Sequence, residues 1–326
     1  MSNSSLRAAM VPVSRRVRAY FAPVDRGTET PAVFDPAKYG EFLLAAPPAP
    51  WLDLGWIDDF QRTSGTSTGS LNAGPTGAAV GQFRSLLDAR VEFDFREWGK
   101  LQMALASGAQ HMNVLAAMPN AAACPSGGTA LAAVGVLAGS SASEIILGSG
   151  AVDDFAIGDV IAVDGDYQQQ VGYVGSGIAA AYVKSAADVK QDASYIRRVT
   201  FNVGRVAEKT AESLLLAQPL LGGAPAAGVG AQKVVAFADR EGGSFFQEWS
   251  ALFVMEEESG GRICFYYPRL SPSSNKAREE LVAIAKPLAS IALHASFNAL
   301  AYVDANDSET VVCYRSYFPA PMAAIY

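Results

Sequence analysis

Residues 90–106 read Arg90-Val-Glu-Phe-Asp-Phe-Arg-Glu-Trp-Gly-Lys-Leu-Gln-Met-Ala-Leu-Ala106, and this stretch changes from a strand pattern to a helix pattern. In its first half, the apolar residues Val91, Phe93 and Phe95 alternate with charged ones. A period of two places the apolar side chains on one face of a β-strand and the charges on the other. We therefore predict a half-buried strand at residues 89–95.

The second half of the same stretch predicts a short amphipathic helix at residues 97–106. Trp98, Leu101 and Leu105 fall at helical spacing, and a glycine, Gly108, follows shortly after them. A glycine just past the last periodic residue is a common helix stop.

Two hairpins are predicted further along the chain. The first pairs residues 245–255 with 262–267, and the second pairs 291–303 with 310–318, each around an acidic turn. Residues 278–288, between the two hairpins, fit either a short helix that ends before a proline or a bulged edge strand.

Residues 61–77 form a long polar stretch of Gly, Ser and Thr with one bulky apolar residue, Leu71. A loop of this length inside a compact domain is usually functional or ordered by a partner. Its Gly65-Thr-Ser67-Thr-Gly69 matches the nucleophile motif of hydrolases, but that motif requires a buried strand, a sharp turn and a helix around the serine. We interpret the stretch as an exposed loop and not as a catalytic site.

Two stretches rich in small residues, 119–143 and 217–231, are predicted to be linkers. They bracket residues 144–216, which we predict to be an inserted β domain. The remaining parts, 1–135 and 230–326, then form one discontinuous outer domain.

Strand signals within the predicted insert lie at residues 159–164, 170–174, 178–183 and 196–203. Turn residues separate them at short intervals, as in a small barrel or sandwich. An alternative function is therefore an enzyme or a ligand-binding module on this barrel. Its pocket would be lined by the tyrosines of the insert, namely Tyr167, Tyr173, Tyr182 and Tyr195.

Composition narrows the classes of function. The chain has 326 residues, of which 50% are hydrophobic, and 32 acidic minus 25 basic residues give a net charge of −7. Tight wrapping of nucleic acid needs a basic face, so the composition argues against that class. The three cysteines are widely spaced, and neither they nor His111 and His294 have the spacing of a metal site. We predict no cofactor, no metal and no catalytic residue.

Neither a secretion signal nor a membrane span is predicted. Arginines interrupt the apolar residues of the first 20 positions, and the most apolar window, 130–138, is about half as long as a membrane helix. We expect a protein that is made in the cytoplasm of its host and is not inserted into a membrane.

The order of these features resembles the tail-tube proteins of long-tailed bacteriophages, a fold shared with the inner tube of type VI secretion. The resemblance rests on the stretch at 90–106, the polar loop before it and the closing hairpins, and it covers residues 40–120 and 235–326. It implies a mainly β fold, a tail-tube-like β-sandwich or barrel with one short flanking α-helix and, here, an inserted small β domain. It also implies a structural subunit and not an enzyme. Such subunits form hexameric or trimeric rings that stack into the hollow tube of a virion tail, and for this chain we expect hexameric rings.

The resemblance also implies partners: further copies of the chain, other tail proteins, and DNA in transit. An acidic lumen would repel phosphates, and Glu92 and Asp94 are the lumen candidates. The candidates for contacts between subunits or rings lie before and within the polar loop and are Trp51, Trp56, Arg62, Thr63, Ser64, Thr66, Ser67, Leu71 and Asn72. A subunit of an extracellular filament is a related alternative.

Overall fold

A computed structural model describes residues 14–73, 78–96, 99–108, 110–116, 130–164, 171–172, 180–181, 195–240, 247–258, 260–273, 278–285 and 288–320. The fold is mainly β, as predicted. The chain divides into two compact units. Unit 1 comprises residues 1–25, 29–108 and 247–326, and unit 2 comprises residues 26–28 and 109–246.

The strands are numbered in chain order: β1 (Ser14–Pro23), β2 (Leu52–Ala73), β3 (Ala78–Phe95), β4 (Gln110–Leu115), β5 (Val134–Gly135), β6 (Glu144–Ile146), β7 (Val160–Asp164), β8 (Val171–Gly172), β9 (Ala180–Ala181), β10 (Val203–Lys209), β11 (Ser213–Leu216), β12 (Gly230–Arg240), β13 (Trp249–Glu257), β14 (Arg262–Pro272), β15 (Arg278–Ala285), β16 (Leu288–Ala299), β17 (Tyr302–Val303), β18 (Thr310–Val311) and β19 (Tyr314–Phe318). The α-helix is α1 (Lys100–Ser107), and short helical turns lie at Pro36–Glu41, Ala151–Asp154 and Arg197–Phe201.

Unit 1 contains a closed antiparallel barrel. Six strands follow one another in the order β16, β3, β2, β1, β13 and β14, and the end of β14 pairs back with β16. Closure satisfies the backbone groups that the two edges of an open sheet would leave unpaired. Two further strands, β15 and β19, extend the sheet beside β16 and β14.

Aromatic side chains fill the barrel. Phe93 stacks on Phe297 with ring centroids 5.7 Å apart and 12° between the planes, and Phe21 and Phe253 pack edge to face 5.8 Å apart. Val91, Phe93 and Phe95 are all buried, so the predicted strand at 89–95 and its apolar face are confirmed. Rings of this size supply most of the buried apolar area that holds such a small barrel together.

A second core lies on the outside of the barrel wall. The segment from residue 29 to 51 crosses the outer face of β1, β13 and β14, and Tyr20 donates a 2.9 Å hydrogen bond to the carbonyl of Leu44 in this segment. The buried residues of this core are Tyr20, Ala22, Phe34, Phe42, Trp51, Leu252, Val254, Cys264 and Tyr266. The wall is therefore apolar on both faces.

The predicted helix is confirmed as α1. It buries Ala104, Leu105 and Ala106 and lies against β16 and β14. Gly108 ends it in a left-handed conformation with φ of +59°, and a Cβ at that position would lie 2.7 Å from the Cβ of Pro272. Glycine meets both requirements at this helix end. Trp98 lies outside the described residues.

The first predicted hairpin is confirmed, because β13 pairs with β14 from Trp249↔Leu270 to Glu256↔Arg262. The second is wrong in most of its length. Strand β16 pairs with β3, β15 and β14, while β19 pairs with β14, and only the two-residue strands β17 and β18 pair with each other across the acidic turn. Residues 278–285 form the edge strand β15 and not a helix.

Unit 2 is a nine-stranded antiparallel arrangement ordered β6, β11, β10, β7, β12, β4, β9 and β8, with β5 paired to β12. Its core includes Ile145, Phe155, Ile161, Val206 and Leu214. The predicted ends of the insert at 144 and 216 are wrong, since β4, β5 and β12 belong to this unit.

The small-residue stretches that were predicted to be linkers lie inside unit 2 where they are described. Val136 and Leu220 belong to its core. A Cβ on Gly222 would lie 1.8 Å from Asn202 Oδ1, and one on Gly230 would lie 2.7 Å from the Cβ of Ala133. Small residues here permit close packing of the backbone.

The four strands predicted in the insert differ in how well they agree with the structure. The first is β7, and the described residues of the second and third are the strands β8 and β9. The fourth, at 196–203, is wrong: residues 197–201 form a helical turn, and β10 begins at Val203. Ile196 and Val199, three residues apart, are both buried, which is helical spacing.

Candidate functional site

The polar stretch at 61–77 was predicted to be a loop, and this is wrong. Residues 61–73 are the second half of β2, and they pair with β3 in a continuous ladder that ends at Ala73↔Ala78. We call residues 61–73 of β2 and 78–89 of β3 the arm. The tip, residues 74–77, lies outside the described residues.

The arm extends beyond the barrel. The pairing of β2 with β1 ends at Ile57, and the pairing of β3 with β16 ends at Arg90, which lies opposite Asn298. From Thr63 to Ala73 the arm spans roughly 34 Å at the usual rise per residue. Among the described strands, neither outer edge of the arm has a partner.

The described side chains in the β2 half of the arm are mostly small, polar and exposed. Thr63, Ser64, Thr66 and Ser67 are exposed, and Leu71 is 59% exposed. The side chain of Asn72 is not among those that the structure describes. A two-stranded ribbon without a third strand or a packed face is marginal in water, and its free backbone edges are sites for strand addition.

Arg62 anchors the base of the arm to the barrel. Its Nε donates a 3.0 Å hydrogen bond to the hydroxyl of Tyr267, and its guanidinium lies 4.9 Å from the ring centre of Phe265. Burial lowers the pKa of Arg62, but the hydrogen bond to Tyr267 and the electrostatic interactions with Tyr267 and Cys313 together outweigh burial, and the pKa is raised. Arg62 therefore has a structural role within its own subunit, and its place in a contact between subunits stays a prediction.

A second free ribbon leaves the barrel at the opposite end of β3. Strand β15 pairs with β16 from Arg278↔His294 to Ala285↔Leu288, whereas β3 pairs with β16 only from Leu293 onward. Because Leu293 lies opposite Phe95, residues 288–292 run past the end of β3 that is remote from the arm. We call residues 278–285 and 288–292 the second ribbon. The sequence pattern did not predict this ribbon, because residues 278–285 take their strand structure from pairing with β16.

The lumen candidates Glu92 and Asp94 lie on the outer face of β3, opposite to Phe93. Their side chains are only 23% and 19% exposed. Glu92 accepts a 3.3 Å hydrogen bond from Ser296, and Asp94 lies 2.6 Å from a ring nitrogen of His294. Both carboxylates are thus engaged within the sheet, and their place in a lumen stays a prediction.

The two tryptophans have different environments. Trp51 is 6% exposed and packs edge to face against Phe42 and Tyr266, so it belongs to the core of unit 1, which corrects its assignment as an anchor between subunits. Trp56 is half-buried, and the guanidinium groups of Arg16 and Arg18 each lie 5.5 Å from its ring. A hydrogen bond to Asp53 raises the pKa of Arg18 and holds the group in place.

The alternative pocket in unit 2 has one described tyrosine. Tyr195 is fully buried and donates a hydrogen bond to the carbonyl of His111, whose ring contacts Thr200. Tyr167, Tyr173 and Tyr182 lie outside the described residues. Tyr195 thus serves as a core residue, as aromatic residues in sheets usually do.

Within the described ranges, no helix is long and apolar enough to cross a membrane, and no three His, Cys, Asp or Glu side chains are grouped to hold a metal ion. Comparison with models of protein families gives no match for this chain, and comparison with curated proteins gives none. The arm and the second ribbon are the two features of unit 1 that extend beyond the barrel.

Proposed function

We propose that this chain is a structural subunit whose copies form rings that stack into a hollow tube, as in the tail of a long-tailed phage, through which DNA passes. The single observation that carries the proposal is the arm, a ribbon of roughly 34 Å with both outer edges unpaired among the described strands. A neighbouring copy would complete its hydrogen bonds.

The second ribbon supports the same proposal. It leaves the barrel at the opposite end from the arm, so each subunit presents a ribbon in both directions, and among the described strands no third strand pairs with either ribbon. Contacts between two different surfaces of the same chain are heterologous, and they propagate into rings or filaments instead of closing into a dimer. A closed barrel with a packed aromatic core is rigid, so it holds the two ribbons in fixed directions.

The chemistry of the arm fits a contact that forms after folding. Apart from Leu71, the exposed side chains described in its β2 half are polar, and Leu87 is exposed in its β3 half. Two register shifts, at Ser67/Thr68 and Leu71/Asn72, bend the ladder and limit uncontrolled pairing of its edges. Backbone hydrogen bonds, with Leu71 as an apolar contact, would supply the affinity.

The test is the assembly state of the purified full chain, measured by sedimentation velocity and negative-stain electron microscopy at rising concentration. We expect rings or hollow tubes. Ser64→Lys with Thr66→Lys should keep the melting temperature and abolish assembly, because lysines on a strand edge block strand addition. The matched control is Ala224→Lys with Ala226→Lys, which adds the same charge at exposed positions of unit 2.

Two outcomes contradict the proposal. One is a wild-type chain that stays a small, uniform particle at every concentration. The other is assembly that survives the two lysines in the arm.

A further inference from the structure

Unit 1 contains an open groove of about 680 Å³ that the assembly proposal does not use. It lies on the outer face of β14 and β19, between residues 33–36 and the loop that follows β17. This volume is within the range of sites for small organic ligands.

Three tyrosines form the apolar part of the groove. The rings of Tyr266 and Tyr314 are nearly parallel, with 19° between their planes and 5.8 Å between their centres, and Tyr302 lines the groove beside them. Tyr266 donates a 2.8 Å hydrogen bond to the carbonyl of Ala32, which fixes the orientation of its ring. The groove thus offers aromatic surface that is already positioned.

One side of the groove is held rigid by its own hydrogen bonds. Asp304 accepts a 2.5 Å hydrogen bond from the hydroxyl of Tyr314 and 2.9 Å hydrogen bonds from the backbone and the side-chain amide of Asn306. This network lowers the pKa of Asp304, so the carboxylate is charged at neutral pH. The loop needs no ligand to order it.

Other polar groups of the groove are available to a ligand. The hydroxyls of Tyr302 and Ser316 make no hydrogen bond to any described part of the chain. One oxygen of Asp35 accepts a hydrogen bond from the backbone of Ala37, and its other oxygen has no such bond. The groove therefore combines free donors and acceptors with aromatic faces.

We propose that this groove binds a neutral saccharide. A sugar ring has apolar C–H faces that pack on tyrosine rings, and hydroxyls that both donate and accept hydrogen bonds. The side chain of Arg315 lies on the other face of β19, because Arg315 pairs with Phe265 whereas Tyr314 pairs with Tyr266. The carboxylates of Asp35 and Asp304 therefore make the groove acidic and disfavour an anion. A wholly apolar ligand would leave these carboxylates and the hydroxyls without partners.

The test is saturation-transfer NMR and calorimetric titration of the purified full chain with maltotriose, cellotriose and chitotriose, and with trigalacturonic acid as an anionic counterpart. We expect transfer to at least one of the neutral trisaccharides. Tyr302→Ala should weaken that binding by about tenfold or more, and Tyr302→Phe, which keeps the ring, should weaken it less.

Tyr317→Ala is the matched control. Tyr317 is an exposed tyrosine of β19 that does not line the groove, so this change should leave binding intact. The proposal is overturned if none of the three neutral trisaccharides binds, if only the acidic one binds, or if binding survives Tyr302→Ala. Sedimentation of the same variants separates this result from the assembly proposal, because the groove and the arm share no residue.

Discussion

The Nδ1 atom of His294 on β16 lies 2.6 Å from Oδ1 of Asp94, the residue directly opposite on β3. The next pair on the same face, Ser296 and Glu92, is joined by a 3.3 Å hydrogen bond. Both pairs lie on the side of the sheet that faces away from the aromatic core. They connect the two strands by side chains as well as by the backbone ladder.

The His294–Asp94 pair is expected to stabilise unit 1 by about 1.5–3 kcal/mol, since it is a largely buried hydrogen bond to a charged group. A double-mutant cycle with His294→Gln and Asp94→Asn, measured by urea unfolding, gives this coupling energy. The matched pair is Arg96 and Asp58, which are 47% and 50% exposed and should couple by less than about 1 kcal/mol. Equal coupling in the two cycles would contradict the expectation.

Phe93→Ala is expected to destabilise unit 1 by about 3–5 kcal/mol. Phe93 is fully buried and contacts Phe21, Phe253 and Phe297, so truncation leaves a cavity in the barrel. Leu87→Ala, on the exposed arm of the same strand, should cost less than about 0.5 kcal/mol. Thermal and urea unfolding of both variants would check the difference, and similar losses would refute the assignment of the core.

Cys264 is expected to be unreactive in the folded chain. It is 1% exposed, and burial raises the pKa of its thiol to about 12, although Arg262 acts in the opposite direction. The thiolate is the reactive form, so a disulfide reagent at about pH 8 should modify this residue only when the barrel opens. The experiment uses Cys124→Ser with Cys313→Ser, native and in guanidinium. Prompt reaction of the native variant would mean that the outer core is open.

The stability of unit 2 should depend on pH through Asp159. Its carboxylate accepts hydrogen bonds of 2.7 Å from Lys233 and 2.9 Å from the backbone of Ala156. Burial alone would raise the pKa of Asp159, but these hydrogen bonds outweigh burial, and the pKa lies below its ordinary value of 3.8. The folded state therefore binds this proton less readily than the unfolded state does.

It follows that the contribution of Asp159 is complete above about pH 5 and is lost as the pH falls through the lowered pKa. At neutral pH, Asp159→Asn should cost about 0.5–1 kcal/mol, and wild type and variant should converge in acid. Urea unfolding across this pH range measures the difference. Asp153→Asn is the control, since that side chain is 80% exposed. A difference that persists below the pKa would contradict the assignment.

Local patterns in the sequence predicted the elements that a single segment determines. The alternation at Val91, Phe93 and Phe95 gave the strand and its buried face, and the glycine after Ser107 gave the end of α1. The segment at 61–73 was misjudged because Gly, Ser and Thr carry no alternation. Its strand conformation comes from hydrogen bonds to β3, which composition does not reveal.

The candidate site was predictable only in part. The sequence indicated that residues 61–72 are exposed and polar, but not that they form a ribbon with free edges. Trp51 was expected at a surface because prolines precede it, yet the residue-29-to-51 segment folds back and buries it under Phe42. No sequence pattern predicted the groove of Tyr266, Tyr302 and Tyr314, because Tyr266 and Tyr314 are brought together by the pairing of β14 with β19.

The barrel of unit 1 joins strands that are far apart in the chain, since Phe21 of β1 pairs with Ala251 of β13. On the ribosome, β1, β2 and β3 emerge before all of residues 109–246, whose synthesis takes roughly 10–30 s. During that interval, the aromatic residues of the first three strands cannot be buried, because the other strands of the barrel have not been made. Nearly all of unit 2, in contrast, is contiguous in the chain and can fold as it is synthesised. The yield of folded chain therefore depends on protecting the N-terminal strands until β13 is made. Because the native contacts of these strands do not yet exist, we expect chaperones to provide this protection.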